Sequence, residues 1–198
     1  MRISDTRYSR DLRRYSLALR LIRHEARTQT IMAWSGLSMY RIRTLYRAYG
    51  NDPGNSGVLR PRGRPPNQLH FFWRSAQVAD DAAILGGIAR ALNIFPAQVV
   101  NDAEHSLYTL HRGERVCTAY ELFRAHLPAS EISIDYAFVL VSALIRGDEV
   151  QLGYCVACNS LILVDRLKPP QQTCASCSHP SQQASVHSPS APVCERPA

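Results

Sequence analysis

Lysine is almost missing from this chain, since Lys168 is the single lysine among 23 Lys+Arg residues. The cations are therefore arginine forks, which grip phosphate and guanine edges with paired hydrogen bonds, rather than the compact ammonium groups of an ordinary solvated surface. Long apolar runs are also missing. No stretch of 18 apolar residues occurs, which excludes a membrane-spanning helix. The N-terminus has no apolar core of a secretory signal, and Asp5, Asp11 and Glu25 argue against a mitochondrial transit peptide. Catalytic signatures are lacking too. There is no phosphate loop, no paired-His metalloprotease motif and no nucleophile elbow. His105, His111 and His126 have no Ser, Cys or carboxylate beside them at a telling spacing. The chain reads as a non-enzyme. With no export signal, its six cysteines imply a reducing, cytoplasmic setting.

Four of those cysteines carry the strongest signal. Cys155-x2-Cys158 and Cys174-x2-Cys177 are separated by fifteen residues. Two residues between cysteines let a tight turn aim both thiolates at one ion, and two such turns supply four soft ligands at Zn–S distances of about 2.3 Å. The competing readings are a pair of disulfides or four unrelated thiols. Between the pairs, Leu161-Ile162-Leu163-Val164 is a strand-like run, closed by Asp165-Arg166 and broken by Pro169-Pro170. Turn, strand, loop and turn make a zinc ribbon. Four protein ligands leave no open position, so one structural Zn2+ per chain is expected. Cys117 and Cys194 receive no role.

Charge is unevenly distributed. Residues 1–74 hold fifteen arginines against four acids, a local net of +11, and residues 75–198 hold eight bases against twelve acids, a net of −4. This division implies a polyanion-binding end and a separate body; a merely solvated basic face is the alternative. Residues 4 to about 29 read as a helix with a narrow apolar seam, Tyr8, Leu12, Tyr15, Leu19, Ile22 and Ala26, suited to one partner helix. Residues 28–47 have the layout of a helix-turn-helix. Gly36 supplies the turn, Ser38 the N-cap of the second helix, and Leu37, Ile42 and Leu45 its packing face. Ser35 stands where that motif usually has an apolar residue. Ser38, Met39, Tyr40, Arg41, Arg43, Thr44 and Arg47 then face outward, where a recognition helix meets the major groove.

Arg60-Pro61-Arg62-Gly63-Arg64-Pro65-Pro66 follows a Gly/Pro/Asn-rich break and contains Pro-Arg-Gly-Arg-Pro, the core of an AT-hook. Arg60, Arg62 and Arg64 would run along a narrow A·T minor groove; a rigid linker is the alternative. Residues 67–147 read as four helices, 67–92, 96–111, 114–127 and 134–146, punctuated at Pro96, Gly113, Pro128 and Gly147. The last is apolar almost all round, so it is deeply buried or covered by a partner. Residues 179–198 are rich in Ser, Pro and Gln and should be disordered. The expected fold is mainly α, a helical DNA-binding and core region with a C-terminal four-cysteine zinc ribbon. It divides into 1–49 (N-terminal helix and helix-turn-helix), 50–66 (basic Pro/Gly linker), 67–149 (helical core), 150–178 (zinc ribbon) and 179–198 (tail).

The order of these features resembles the FlhC family, the bacterial flagellar transcriptional activator subunit. The shared layout covers roughly residues 15–178: the Leu-Tyr-Arg-x-Tyr-Gly stretch from Leu45 to Gly50, a Pro/Gly-rich segment leading to Phe71-Phe72-Trp73, a helical body, and the closing cysteine pairs. The resemblance implies zinc ligation by Cys155, Cys158, Cys174 and Cys177, a hetero-oligomer with an FlhD-like subunit, binding to double-stranded DNA upstream of promoters, and recruitment of RNA polymerase. The chain departs from the family in its more basic Arg60–Pro66 segment and in a tail without basic character. An RNA-binding or ribosome-associated zinc-ribbon protein, or a non-catalytic assembly adaptor, are the competing classes.

Overall fold

The computed structural model describes residues 5–50, 58–95, 108–168 and 173–178, with the side chains of 5–7 excepted. Helix α1 (Asp5–Arg23) leads into α2 (Thr28–Ser35) and α3 (Met39–Gly50), followed by a 3-10 turn (Leu69–Trp73). Helices α4 (Ala76–Ala91), α5 (Leu110–His126) and α6 (Ile134–Arg146) form the body. A hairpin of β1 (Val150–Tyr154) and β2 (Leu161–Asp165) and a short helix α7 (Ala175–Ser178) complete it. The fold is mainly helical, with one small antiparallel sheet that pairs Leu152 with Leu163.

Local chemistry explains most of the element ends. Ser75, Thr109 and Ser133 each accept a hydrogen bond from the amide three residues on, which satisfies an orphan donor at the start of α4, α5 and α6. Gly36 and Gly147 adopt left-handed φ values of 68° and 66° and return their amides to Met32 and Ala143. A single helix over 67–92 does not form. The 3-10 turn buries Phe71 and Phe72, and the Ser75 cap restarts the chain as α4.

Gly113 lies inside α5 rather than between two helices. A Cβ there would sit 2.9 Å from Leu17 Cδ2 and 3.3 Å from Trp34, so the missing side chain lets α1 and α2 approach α5. The expected helix 96–111 lies mostly outside the described residues; its last two, Leu110 and His111, begin α5.

One core joins the N-terminal helices to the body. Leu17, Leu21, Ile22, Ile31, Ile42, Phe72, Leu85, Val116, Phe123, Ile134 and Leu140 are fully buried within it. The seam expected on α1 is only partly the buried one. Tyr8 and Leu12 are exposed at 63% and 59%, whereas Leu17, Ala18, Leu21 and Ile22 are at 0%. Contacts with α2, α3 and α5 explain this, because packing against several helices buries an i, i+1, i+4, i+5 arc rather than a single line. Helix α6 is buried within the chain itself, Asp135 and Ser142 included.

Candidate metal centre and basic helix face

The hairpin builds the metal site from two turns. β1 runs into Cys155, and the chain reverses through Cys158 and Asn159, whose φ of 59° is left-handed. Asn159 donates its amide to the Cys155 carbonyl at 2.8 Å, and Cys155 donates its own to Ser160 at 2.9 Å. After β2, Cys174 opens α7, with Cys177 and Ser178 donating back to its carbonyl at 3.1 and 2.9 Å. The two turns bring the four sulfurs within 4.8 Å of one another. Cys158 and Cys174 Sγ stand 3.7 Å apart, close to the tetrahedral edge of about 3.8 Å set by metal–sulfur bonds of about 2.3 Å. All five described cysteines are free thiols, so the reading as paired disulfides does not hold.

The donors around the sulfurs suit thiolate. The amide of Cys174 donates to Cys155 Sγ at 3.3 Å, and this with neighbouring amides holds Cys155 down to about 6. Ser160 Oγ lies 3.1 Å from Cys158 Sγ and lowers it too. Hydrogen bonding as a thiol to Cys174 and Cys158 pushes Cys177 up to about 12, a state that a dication among the sulfurs would reverse. The four residues thus fit one tetrahedral metal ion. Cys155 and Cys174 are buried and Cys158 is exposed, which places the site at the rim of the hairpin.

The hairpin stands on the helical body, not apart from it. Val150 and Leu163 are buried in the main core, and Leu152 packs beside them. A Cβ on Gly86 would meet Leu152 Cδ2 at 2.9 Å, and one on Gly87 would meet Leu161 Cδ2 at 2.8 Å. The Gly86-Gly87 pair in α4 is therefore the seat of the ribbon. Its only sequence signal is two adjacent glycines inside an otherwise helical stretch.

The helix-turn-helix residues take the expected local arrangement. Ser35, polar in an apolar position, is 2% exposed; its hydroxyl donates to Ile31 O at 2.6 Å and accepts from the Leu37 amide at 3.2 Å. Ser38 Oγ accepts from the Arg41 amide at 3.5 Å. Ile42 and Tyr46 are buried and Leu45 is half-buried, while Ser38, Met39, Tyr40, Arg41, Arg43, Thr44 and Arg47 are exposed. Tyr40 stands out at 80%. Thr44 donates its hydroxyl to Tyr40 O at 3.0 Å.

The arginines of α1 behave differently. Arg13 pairs with Glu114 and Arg20 with Glu121 at 2.6 Å; just beyond the helix, Arg27 pairs with Asp135 at 3.1 Å. Asp135 is 3% exposed and also accepts from the Arg27 amide and the Thr30 hydroxyl. The excess positive charge before residue 74 is thus partly matched by acids of α5 and α6, at Arg13, Arg20 and Arg27. Arg41, Arg43 and Arg47 have no ion pair or side-chain hydrogen bond with any described residue.

Residues 58–66 form a strap over the start of α2. The Leu59 amide donates to Glu25 Oε1 at 2.9 Å and Arg60 Nε to Thr28 Oγ1 at 3.1 Å. Arg62 and Arg64 are exposed. Gly63 has φ 94° with open space around its Cα, so replacing it by alanine strains the backbone whatever the strap binds. Cys117 is buried, and burial pushes its thiol up to about 12, which leaves it unreactive. Cys194 lies outside the described residues, as does the tail 179–198.

Among the described residues no helix is long and apolar enough to cross a membrane. Fold and site together define a mainly helical protein carrying a hairpin whose four cysteines could hold a metal ion. No protein-family model matches the chain, and no curated protein does.

Proposed function

We propose that this protein is a DNA-binding transcriptional activator of the FlhC type, acting in the cytoplasm without catalysis of its own. The observation that carries the reading is the set of unpaired, exposed arginines on α3. Arg41, Arg43 and Arg47 project from one short helix with Tyr40 and Thr44, while Arg13, Arg20 and Arg27 are paired with acids. Three cations held out to solvent on a helix that follows a tight glycine turn suit a duplex phosphate backbone and base edges. Zinc is the metal proposed for the cysteines, because four thiolates in a closed tetrahedral set favour it and leave no position for substrate. The exposed Tyr8 and Leu12 on α1 supply an apolar face for an FlhD-like subunit. RNA polymerase is the expected downstream partner.

Selection of bound sequences from a random duplex pool, followed by anisotropy titration at several salt concentrations, tests the reading. Duplex DNA should outcompete structured RNA at equal ionic strength. Arg41→Ala should cost about 1–3 kcal/mol at one position of the selected site. Equal or better binding to structured RNA would favour an RNA-binding role, and no nucleic-acid binding would leave an assembly adaptor.

A further inference from the structure

Helix α3 and the strap share a groove of about 310 Å³ lined by Arg43, Tyr46, Arg47, Val58, Leu59 and Arg60. Arg43 and Arg47 stand one turn apart on α3 and so share a face. Arg60 comes from the strap. No carboxylate of the described residues lines the groove. Tyr46 is held beneath it by donating its hydroxyl to the Ala26 carbonyl. The Arg60 Nε bond to Thr28 fixes that side chain by its inner nitrogen and leaves the two terminal nitrogens of the fork for another acceptor. Glu25, which meets the strap, is engaged by the Leu59 amide. Three guanidinium groups along one groove repel one another until an anion lies between them.

We propose that Arg43, Arg47 and Arg60 together hold a single backbone phosphate of the nucleic acid, locking the strap to α3 on the same strand. This rests on the nucleic-acid reading above and adds a partition of labour to it. Arg41, which does not line the groove, remains the base-reading candidate, and Arg62 and Arg64 follow the clamp as the next exposed cations of the strap. The strap is then a second contact surface positioned by the protein before binding, rather than an arm that searches for its groove.

A double-substitution cycle on one duplex tests the clamp. Arg47→Ala and Arg60→Ala should each weaken binding about tenfold, as expected for losing a charge-assisted hydrogen bond. Each should also flatten the salt slope, by at most the roughly 0.9 that one phosphate contributes. The double variant should flatten it by no more than about 0.9 in total and lose much less than the product of the two effects, because both arginines serve one phosphate. Arg60→Lys should keep the salt slope, since an ammonium still neutralises the phosphate, but should recover only part of the affinity, because it lacks a fork that bonds Thr28 and phosphate through separate nitrogens. Arg90→Ala, on α4 outside the groove, controls for net charge, and melting curves confirm that each variant is folded. Multiplicative losses with a slope flattened by about 1.8 in the double variant would overturn the clamp. Silent Arg60 variants beside a weakened Arg41→Ala would overturn it while leaving DNA binding intact. Failure of the unaltered protein to bind any duplex would overturn both.

Discussion

Leu152 on β1 packs so tightly over Gly86 on α4 that a Cβ at Gly86 would lie 2.9 Å from its Cδ2. Leu144 Cδ1, at 3.2 Å from the same point, closes the space from α6. Gly86→Val should therefore destabilise the protein by about 1–3 kcal/mol through overpacking, despite the better helix propensity of valine over glycine. Gly87→Ala meets only the tip of half-buried Leu161 and gains roughly 1 kcal/mol of helix propensity, so it should be neutral to stabilising. Urea denaturation of both variants distinguishes a seat at Gly86 from a loose association; equal stability would argue against the seat.

The metal site should hold one zinc ion per chain by elemental analysis. Chelation should lower the melting temperature, because metal binding of order 10 kcal/mol in small zinc modules is folding free energy. Far-ultraviolet dichroism should change little on chelation at low temperature, since the large helices lie outside the site. Cys155→Ser and Cys174→Ser should lose the metal and become protease-sensitive at the hairpin. Full zinc content after replacement of all four cysteines would refute the assignment.

Asp135 is the buried acceptor that ties α2 to α6. Asp135→Ala removes the partner of the Arg27 guanidinium, whose Nε is already buried without one, and of Thr30. A loss of about 1–3 kcal/mol is expected, because Thr30 and the part-exposed Arg27 lose their acceptor while the cation keeps some access to water. Asp135→Asn, which keeps the shape and some acceptor capacity, should cost less. Denaturant titration gives both values, and a cost below that of an ordinary surface substitution would show that the α2–α6 tie is dispensable.

Acid should weaken the fold through α5. The Arg13 guanidinium holds Glu114 below its usual range. Burial pushes Glu121 upward, but hydrogen bonds from Arg20 and His24 outweigh it and leave that carboxyl lowered as well. Both folded values are depressed, so their stabilisation is fully present above the usual carboxylate range and is lost as pH falls through the folded values. The Arg13–Glu114 and Arg20–Glu121 pairs are part-exposed, which limits each to about 0.2–1 kcal/mol. Glu114→Gln and Glu121→Gln should each lower stability near neutrality and flatten its dependence on acid pH by that amount. An unchanged acid limb in the double variant would assign the pH dependence to other groups.

Local features were readable from residue order alone. Two Cys-x2-Cys turns specify their own geometry within four residues, so the candidate metal ligands needed no knowledge of the fold. Gly36, the Ser38 cap and the outward set of α3 follow from backbone permissiveness and helical period, and the end of α6 follows from Gly147 in the same way. What neighbours do was not readable. The buried arc of α1 depends on several helices arriving at once, and the place of Gly113 within α5 depends on Leu17 and Trp34 approaching it. The pairing of Arg13 with Glu114 and of Arg20 with Glu121 spans 101 residues of sequence. Residue order alone thus determined a helical chain with a basic N-terminal region and four thiol ligands. Only the tertiary structure decided which arginines stay free and that the ribbon rests on α4, because charge neutralisation and close packing arise between segments that no local spacing relates.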